Sequence, residues 1–246
     1  NTNATFSYIP TLMSADVVAL NDLYSGYGYG TSNSFTGNTV YGFNTNISNS
    51  SSTIWHDFTN LVANSSFTIT DAGGNDTVDL SGFTSDQIIN LQAPGLNDSQ
   101  LIPSTVGDGG ERQNLFFSPG TIVENAIGGS GDDYLTGNEA DNLLEGNDGD
   151  DTFNGGGGDD SIDGGINGTD IAVFSGNLSD YRFTEANGRV TAEDLRNGST
   201  DGTDTLVDVE RVQFADQTVS IADALRLTST YTDVETTGTI DLVTNQ

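Results

Sequence analysis

The residues with the clearest chemistry recur with a period of nine between residues 128 and 172. Each unit opens with a turn that ends in aspartate or asparagine, and an apolar residue follows two positions later. The units read GGSGDDYLT, GNEADNLLE, GNDGDDTFN and GGGGDDSID, and a fifth starts at Gly164 with one extra residue before Asp170. Carboxylates and the carbonyls of glycine turns are oxygen donors, which calcium prefers. The pattern G-G-x-G-x-D-x-U-x, with U apolar, is typical of a calcium-binding parallel β-roll.

The repeat also predicts how its units stack. If six residues of each unit form a turn and three form a strand, successive turns alternate between two edges of a flattened coil. Units that are eighteen residues apart then lie on the same edge. We expect Asp133 to lie near Asp151, and Asp151 near Asp170, where the inserted residue makes the step nineteen. Asn142 should likewise lie near Asp160 on the other edge.

The apolar residues of the repeat argue against a flexible linker rich in glycine and aspartate. They keep strict register, and we expect them to point into the space between two sheets: Leu135, Leu144, Phe153 and Ile162. A flexible linker has no reason to preserve such a register.

Two stacked turns would supply calcium with carbonyls from repeat positions 2 and 4 and with the side-chain oxygen of position 6. The candidate ligands are Gly129, Gly131, Asp133, Asn138, Ala140, Asn142, Asn147, Gly149, Asp151, Gly156, Gly158, Asp160 and Asp170. Asn142 replaces an aspartate, so its turn pair should bind more weakly or depend on Asp160. The insertion at Ile166 and Asn167 leaves the geometry of the last turn open.

The composition limits the partners. The chain has 36 acidic and 6 basic residues, all six of them arginine, and a formal net charge of −30. This charge disfavours nucleic acid and anionic membranes and favours cations. Cysteine is absent, which excludes disulfides and cysteine-ligated zinc. A single histidine, His56, excludes a centre built from several histidines.

The remaining segments predict mainly short strands. An amphipathic helix is expected over residues 14–24, a surface loop over 93–114 and a shorter helix near Ile221–Leu227. Short strands are expected at Val40–Phe43, Phe67–Thr70 and Thr77–Leu80. After residue 172 the alternating pattern predicts antiparallel strands. The expected fold is all-β: a parallel β-roll with calcium-binding nonapeptide turns, flanked by antiparallel strands in a small sandwich, with one short N-terminal helix.

Four segments resemble the C-terminal region of the serralysin family, which are secreted bacterial zinc metalloproteases of the metzincin type. They are TLMSADVVALNDLY from Thr11, TGNTVYGFN from Thr36, DAGGNDTVD from Asp71 and VENAIGGSG from Val123. The first resembles the last helix of that family's catalytic domain, and the second resembles the opening of its β-roll domain. The resemblance runs from Tyr8 to about residue 172.

The resemblance implies two further calcium sites before the repeats. The first would be formed by Phe35, Gly37, Thr39, Asp71, Gly73 and Asp76. Phe35 stands where the family usually has arginine, and only its carbonyl is needed. The second would be formed by Gly74, Asp76, Ile122 and Glu124, with Ile122 in place of the family's threonine.

The resemblance does not extend to catalysis. The family's signature H-E-x-x-H-x-x-G-x-x-H is absent, and one histidine cannot hold catalytic zinc. We therefore assign no catalytic residue and expect Zn²⁺ only in a missing catalytic part. The expected organisation is a remnant protease-domain helix (1–25), a calcium-binding β-roll (26–172) and an antiparallel β cap with a type I secretion signal (173–246).

These features favour a secreted, extracellular calcium-binding domain that drives the folding and type I export of a serralysin-like protease. Its partners would be calcium ions, the type I secretion machinery and its own N-terminal protease domain, without nucleic acid or membrane. The alternative is a stand-alone structural or adhesive extracellular module stabilised by calcium. A third hypothesis, an enzyme that acts through paired carboxylates, is weak because so acidic a chain forms such pairs by chance.

Overall fold

The computed structural model describes residues 35–47, 57–62, 65–94, 103–108, 113–198 and 201–236. The helix predicted over residues 14–24, the lone histidine His56 and the C-terminal tail lie outside the described residues. Within them, no helix is long and apolar enough to cross a membrane.

Two sheets face each other across one apolar core. The eight-stranded sheet has the order β1 (Val40–Gly42), β3 (Thr77–Asp79), β7 (Asn125–Ile127), β9 (Leu143–Glu145), β11 (Ser161–Asp163), β15 (Thr203–Val207), β14 (Arg189–Asp194) and β13 (Tyr181–Ala186). The nine-stranded sheet has the order β17 (Thr218–Ser220), β16 (Arg211–Gln213), β12 (Ile171–Val173), β10 (Thr152–Asn154), β8 (Tyr134–Thr136), β4 (Ile88–Asn90), β5 (Ser104–Thr105), β6 (Gln113–Phe117) and β2 (Phe67–Ile69). The described part also contains two α-helices, α1 (Phe58–Leu61) and α2 (Ile221–Thr236), and a 3-10 helix at Leu178–Asp180.

The nonapeptide units form the parallel β-roll that the sequence predicts. Each unit contributes one three-residue strand, and the strands alternate between the two sheets. The central residue of each strand is apolar and pairs with its equivalent two units away, as Leu135 does with Phe153 and Leu144 with Ile162. All four of these side chains are buried, because each strand turns its middle residue toward the opposite sheet. The predicted register is confirmed.

The antiparallel strands expected after residue 172 are also confirmed, in β13–β14, β14–β15 and β16–β17. They are attached to the roll, because β15 pairs in parallel with β11, and β16 pairs in parallel with β12. Both sheets therefore continue from the roll into the strands that follow residue 172. Helix α2 begins at the predicted residue and extends to Thr236.

One expectation was wrong: residues 93–114 are not all surface loop. Strand β5 lies between β4 and β6, and both Ser104 and Val106 are buried. The Asn114 side chain holds this segment down by donating hydrogen bonds to the carbonyls of Val62 and Val106, at 2.9 and 2.8 Å. A two-residue strand held by one buried amide leaves no periodic pattern in the sequence.

The register of the roll can be tested with two isoleucines four positions apart. Ile162 is 1% exposed in the core, whereas Ile166 is 90% exposed on the inserted bulge. We expect Ile162→Ala to lower the free energy of unfolding by about 2–5 kcal/mol, since it leaves a cavity. The matched Ile166→Ala change should stay within about 0.5 kcal/mol. Urea unfolding at saturating calcium measures both, and similar losses would contradict the register.

Candidate calcium sites

Stacked turns at the two edges of the roll are linked by aspartates that accept backbone hydrogen bonds. On one edge the amide of Asp133 donates to Oδ1 of Asp151 at 2.7 Å, and the amide of Asp151 donates to Oδ1 of Asp170 at 2.8 Å. On the other edge the amide of Asn142 donates to Oδ1 of Asp160 at 2.8 Å. These are the pairs that the eighteen- and nineteen-residue steps predict. Each aspartate therefore uses one carboxylate oxygen to hold the preceding turn.

The second carboxylate oxygen of several aspartates has no partner. In the described residues, Oδ2 of Asp76, Asp151 and Asp160 is buried and makes no hydrogen bond. Buried polar atoms are nearly always satisfied, and an uncompensated buried charge is costly. A carboxylate oxygen in this state is suited to bind a cation. No basic residue occurs between Arg112 and Arg182, so this stretch has no charged partner of its own.

Backbone carbonyls of the next turn face the same space as these oxygens. A Cβ placed on Gly146 would overlap Oδ2 of Asp151 and would lie 2.7 Å from the carbonyl oxygen of Gly164. A Cβ on Gly128 would similarly overlap Oδ2 of Asp133 and would lie 2.8 Å from the carbonyl of Gly146. Carboxylate and carbonyl oxygens thus converge where only glycine leaves room. This donor set matches the oxygen coordination of calcium.

Glycine is needed at position 4 of the third and fourth units for a related reason, whereas the second unit has Ala140 there. Gly158 has a φ of +105°, and a Cβ there would lie 2.8 Å from the carbonyl of Ala140 in the turn below. Gly149 has a φ of +128°, and its Cβ would overlap the carbonyl of Gly131. The left-handed backbone and the close approach of the turns both require a residue without a side chain.

Burial shifts the titration of the stacked aspartates. Desolvation raises the pKa of Asp151 to about 7, with Asp133 and Asp170 adding repulsion. It raises the pKa of Asp160 to about 7 and that of Asp133 to about 6. The pKa of Asp170 likewise rises to about 6. The turns therefore hold negative charge only at a cost, and a bound cation would offset that cost.

The site implied by Phe35, Gly37, Thr39, Asp71, Gly73 and Asp76 is partly assembled in the structure. The Phe35 carbonyl accepts a hydrogen bond from the Ala72 amide at 3.1 Å, so Phe35 lies next to the Asp71 turn. The amide of Thr39 donates to Oδ1 of Asp76 at 2.7 Å. Oδ1 of Asp71 accepts the Gly73 amide at 2.9 Å. The structure thus brings the two predicted halves of this site together.

The site implied by Gly74, Asp76, Ile122 and Glu124 is assembled in part. The amide of Asp76 donates to Oε2 of Glu124 at 2.8 Å, and burial raises the pKa of Asp76 to about 6. Ile122 is 52% exposed, two residues before Glu124. Its contribution to this site stays a prediction.

Asn142 changes the chemistry of its turn pair. Its side-chain nitrogen Nδ2 donates to the backbone carbonyl of Glu124 at 2.9 Å, and its side-chain oxygen Oδ1 accepts the backbone amide of Asn138 at 2.8 Å. A hydrogen-bond donor and a neutral group take the place of the unpartnered carboxylate oxygen that Asp151 and Asp160 have. Weaker calcium binding at this pair stays a prediction, and Asp160 is its only carboxylate at position 6.

The insertion before Asp170 is accommodated as a bulge. Asn167 forms an isolated bridge with Asp148, while the Thr169 amide still donates to Oδ1 of Asp150 at 2.8 Å. The extra residue is pushed outward, so the last turn keeps its stacking.

Two carboxylates in the stack were missed by the sequence reasoning. The amide of Asp160 donates to Oδ1 of Asp204 at 2.9 Å, and the amide of Asp170 donates to Oε2 of Glu210 at 2.8 Å. Burial raises the pKa of Asp204 to about 8. The hairpin β13–β14 separates both residues from the repeat, so the period of nine gives no signal for them. Short Gly-Thr-Asp and Asp-Val-Glu sequences were the available hints.

Within the described residues, no group of three or more acidic or histidine side chains lies close enough together to hold one metal ion. The candidate sites instead combine one or two carboxylates with several carbonyls. Such sites suit calcium, which accepts backbone oxygens and loose geometry, better than zinc.

Comparison with known proteins places the whole arrangement in one family. The family model described as peptidase M10 serralysin C terminal matches residues 31–243. The chain is 40% identical over 126 residues to metalloprotease AprA of Pseudomonas entomophila, covering 50% of this chain and 22% of that protein. It is 43% identical over 111 residues to serralysin of Photorhabdus laumondii, covering 45% and 20%. It is 38% identical over 124 residues to serralysin G of Dickeya chrysanthemi, covering 50% and 22%. The matches thus span about a fifth of the length of each relative.

Removing one stacked carboxylate should separate calcium binding from intrinsic stability. We expect Asp151→Asn to weaken calcium binding roughly tenfold, or about 1.4 kcal/mol, because a charged ligand is lost. In the absence of calcium the same change should favour the folded state, since it removes an unpaired buried charge. Asp148→Asn is the matched control, with the same charge change on an exposed side chain of the same turn. Calorimetric titration measures the binding, and equal effects of both variants would contradict the site.

The raised pKa values predict an inverted pH dependence without calcium. An unfolded aspartate titrates near pH 4, whereas the folded pKa of Asp151 and Asp160 is about 7. Between those values the folded chain binds more protons than the unfolded chain, so its stability falls as the pH rises. Calcium-free protein should therefore gain ellipticity as the pH drops from about 8 to about 5. With calcium the trend should reverse, because protons compete for the ligands; a calcium-free chain that gains structure at alkaline pH would contradict this prediction.

Proposed function

The chain belongs to the family of M10 peptidase serralysin C-terminal domains, and we propose that it is a calcium-binding domain that drives the extracellular folding and type I export of a secreted zinc metalloprotease. The relatives are named metalloproteases and serralysins, and the chain corresponds to about a fifth of their length. The protease activity therefore belongs, in this proposal, to a catalytic domain outside this chain. Such a domain and the type I secretion machinery are the proposed partners.

The observation that carries the proposal is the unpartnered buried carboxylate oxygen. Asp151 and Asp160 are almost fully buried, and each leaves Oδ2 without a hydrogen bond. The carbonyl oxygen of Gly164 in the neighbouring turn faces the same space as Oδ2 of Asp151, so the partner we propose is a cation that accepts oxygen ligands. Bound calcium would supply the positive charge that this stretch of the chain lacks.

The same charges explain how folding can depend on the compartment. At the low calcium concentration of a cytosol, the net charge of −30 and the unpaired buried carboxylates favour the unfolded chain, which suits a narrow export channel. Only the folded chain brings the carboxylate and carbonyl oxygens together. Calcium outside the cell therefore shifts the folding equilibrium toward the folded chain. At about 10 mM calcium, a site with a Kd of about 0.1 mM would add roughly 2.7 kcal/mol. A few such sites would decide the state of a marginal domain.

The C-terminal part fits a cap that closes the roll. Helix α2 packs against β13, and the Thr228 hydroxyl accepts the Phe183 amide at 3.1 Å. The aromatic rings of Phe174, Tyr181, Phe183 and Phe214 pack together beneath it. These four side chains belong to the apolar core that the two sheets share, and their packing does not require a metal.

Calcium removal is the direct test of this function. We expect a chelator to abolish most of the β-sheet circular dichroism at neutral pH, and calcium, but not magnesium, to restore it. Magnesium demands compact octahedral geometry and keeps its waters, so it fits the carbonyl cages poorly. Metal analysis of the purified chain should find several calcium ions and no stoichiometric zinc. An unchanged spectrum after chelation would overturn the proposal.

A further inference from the structure

The segment Asp201–Asp204 lies outside the nonapeptide repeat but occupies the place of one more repeat turn. It follows the hairpin β13–β14 and leads into β15, which pairs with β11 from Thr205↔Ser161 to Val207↔Asp163. The turn immediately below it on the same edge is Gly155–Asp160. The sequence does not show that the two turns are neighbours, because the hairpin β13–β14 is inserted between them.

Three contacts of this segment reproduce those between true repeat turns. Oδ1 of Asp204 accepts the Asp160 amide at 2.9 Å, as Oδ1 of Asp160 accepts the Asn142 amide at 2.8 Å. The Thr203 amide donates to Oδ1 of Asp159 at 2.8 Å, as the Asp159 amide does to Oδ1 of Asp141, also at 2.8 Å. Asp204 therefore corresponds to Asp160 in the turn below, and Thr203 corresponds to Asp159.

The third contact is the close approach of a glycine to a carbonyl. Gly202 has a φ of +74°, and a Cβ there would overlap the Gly158 carbonyl. Gly158 approaches Ala140 in the same way. Gly202 thus takes repeat position 4, and Asp204 takes position 6, the position of a calcium ligand in the units below.

The free oxygen of Asp160 corresponds to the free oxygen of Asp151 on the other edge. In the units of the other edge, the free oxygen of Asp151 faces the carbonyl of Gly164, which belongs to the next turn. Asp160 has the same conformation, since its Oδ2 also lies against the first glycine of its own turn, Gly155. For Asp160 the next turn is Asp201–Asp204. Asp160 is 2% exposed, and its Oδ2 has no hydrogen-bond partner in the described residues.

We infer that the turn Gly155–Asp160 and the segment Asp201–Asp204 together form a calcium site that joins the β13–β14 hairpin to the roll. The inference rests on the proposed calcium binding of the repeat, but it assigns a ligand, Asp204, that the repeat does not contain. The site links two parts of the chain that are far apart in sequence. Calcium bound there would stabilise the position of the inserted hairpin β13–β14 on the roll.

The position of Asp201 supports this coupling. Its carboxylate accepts hydrogen bonds from the amide and the hydroxyl of Ser175, at 2.7 and 2.6 Å, and from the Tyr181 hydroxyl. Arg196 lies 3.3 Å from the same carboxylate. Asp201 therefore fixes the start of the extra turn through neutral and cationic partners. Asp204, 3% exposed, is the buried carboxylate of this turn that accepts the Asp160 amide.

Counting calcium ions in matched variants tests the inference. Equilibrium dialysis with metal analysis on the whole chain should give one calcium ion fewer for Asp204→Asn than for the unsubstituted chain. Asp160→Asn and the double variant should show whether the two residues share that ion, because the double variant should then lose no more than Asp160→Asn does. Asp216→Asn, an exposed aspartate after β16, carries the same charge change and should keep the full number.

The possible outcomes separate the inference from the proposed function. An unsubstituted chain without calcium would overturn both. A chain that binds several ions, with the same number and affinity in Asp204→Asn, would overturn the inference alone. Should Asp204→Asn fail to fold, crystals of the unsubstituted chain grown in calcium decide the question by anomalous scattering. A peak within about 2.3–2.6 Å of Oδ2 of Asp160 and of an Asp204 carboxylate oxygen supports the site; peaks in the repeat turns without one here contradict it.

Discussion

The described structure depends on buried carboxylates that hold neighbouring turns together with one oxygen and leave the other oxygen without a partner. Asp151 shows the arrangement most clearly: Oδ1 accepts the Asp133 amide, and Oδ2 lies buried against Gly146 and the Gly164 carbonyl. The hydrogen bonds set the spacing of the turns. The unpartnered oxygens make that spacing costly unless a cation joins them. The spacing of the turns and the proposed calcium requirement therefore have their origin in the same side chains.

This constraint explains the composition. Three-residue strands bury only one large side chain each, so the roll has a narrow core for its length. Cysteine is absent, and the repeat contains no basic residue, so neither disulfides nor salt bridges reinforce the turns. The ion pairs of the described residues all lie after residue 172, at Arg182–Glu193, Arg196–Asp194, Arg196–Asp201 and Arg226–Asp223. The strands after residue 172 thus have ordinary ion pairs, whereas in the roll we propose that a metal joins the carboxylates.

The sequence predicts the parts of this fold that repeat. The period of nine placed Leu144 opposite Ile162 and Asp133 beside Asp151, because register in a roll follows directly from unit length. It could not place Asp204, since an inserted hairpin interrupts the period while the turn geometry continues. It also missed β5, where Ser104 is buried by a long-range contact with Asn90 and not by a local pattern. The calcium ligands stay predictions of chemistry and geometry, and so does the ligand role of Ile122, whose side chain is half exposed.

Amide hydrogen exchange, read residue by residue with and without calcium, tests the central claim most directly. The informative amides are those that donate to the stacked carboxylates, namely Asp133, Asn142, Asp151 and Asp160. We expect calcium to protect all four together, and we expect them to exchange as in an unfolded chain at neutral pH once calcium is removed. Equal protection in both conditions would show that the carboxylates hold the turns without a metal, and would contradict the account.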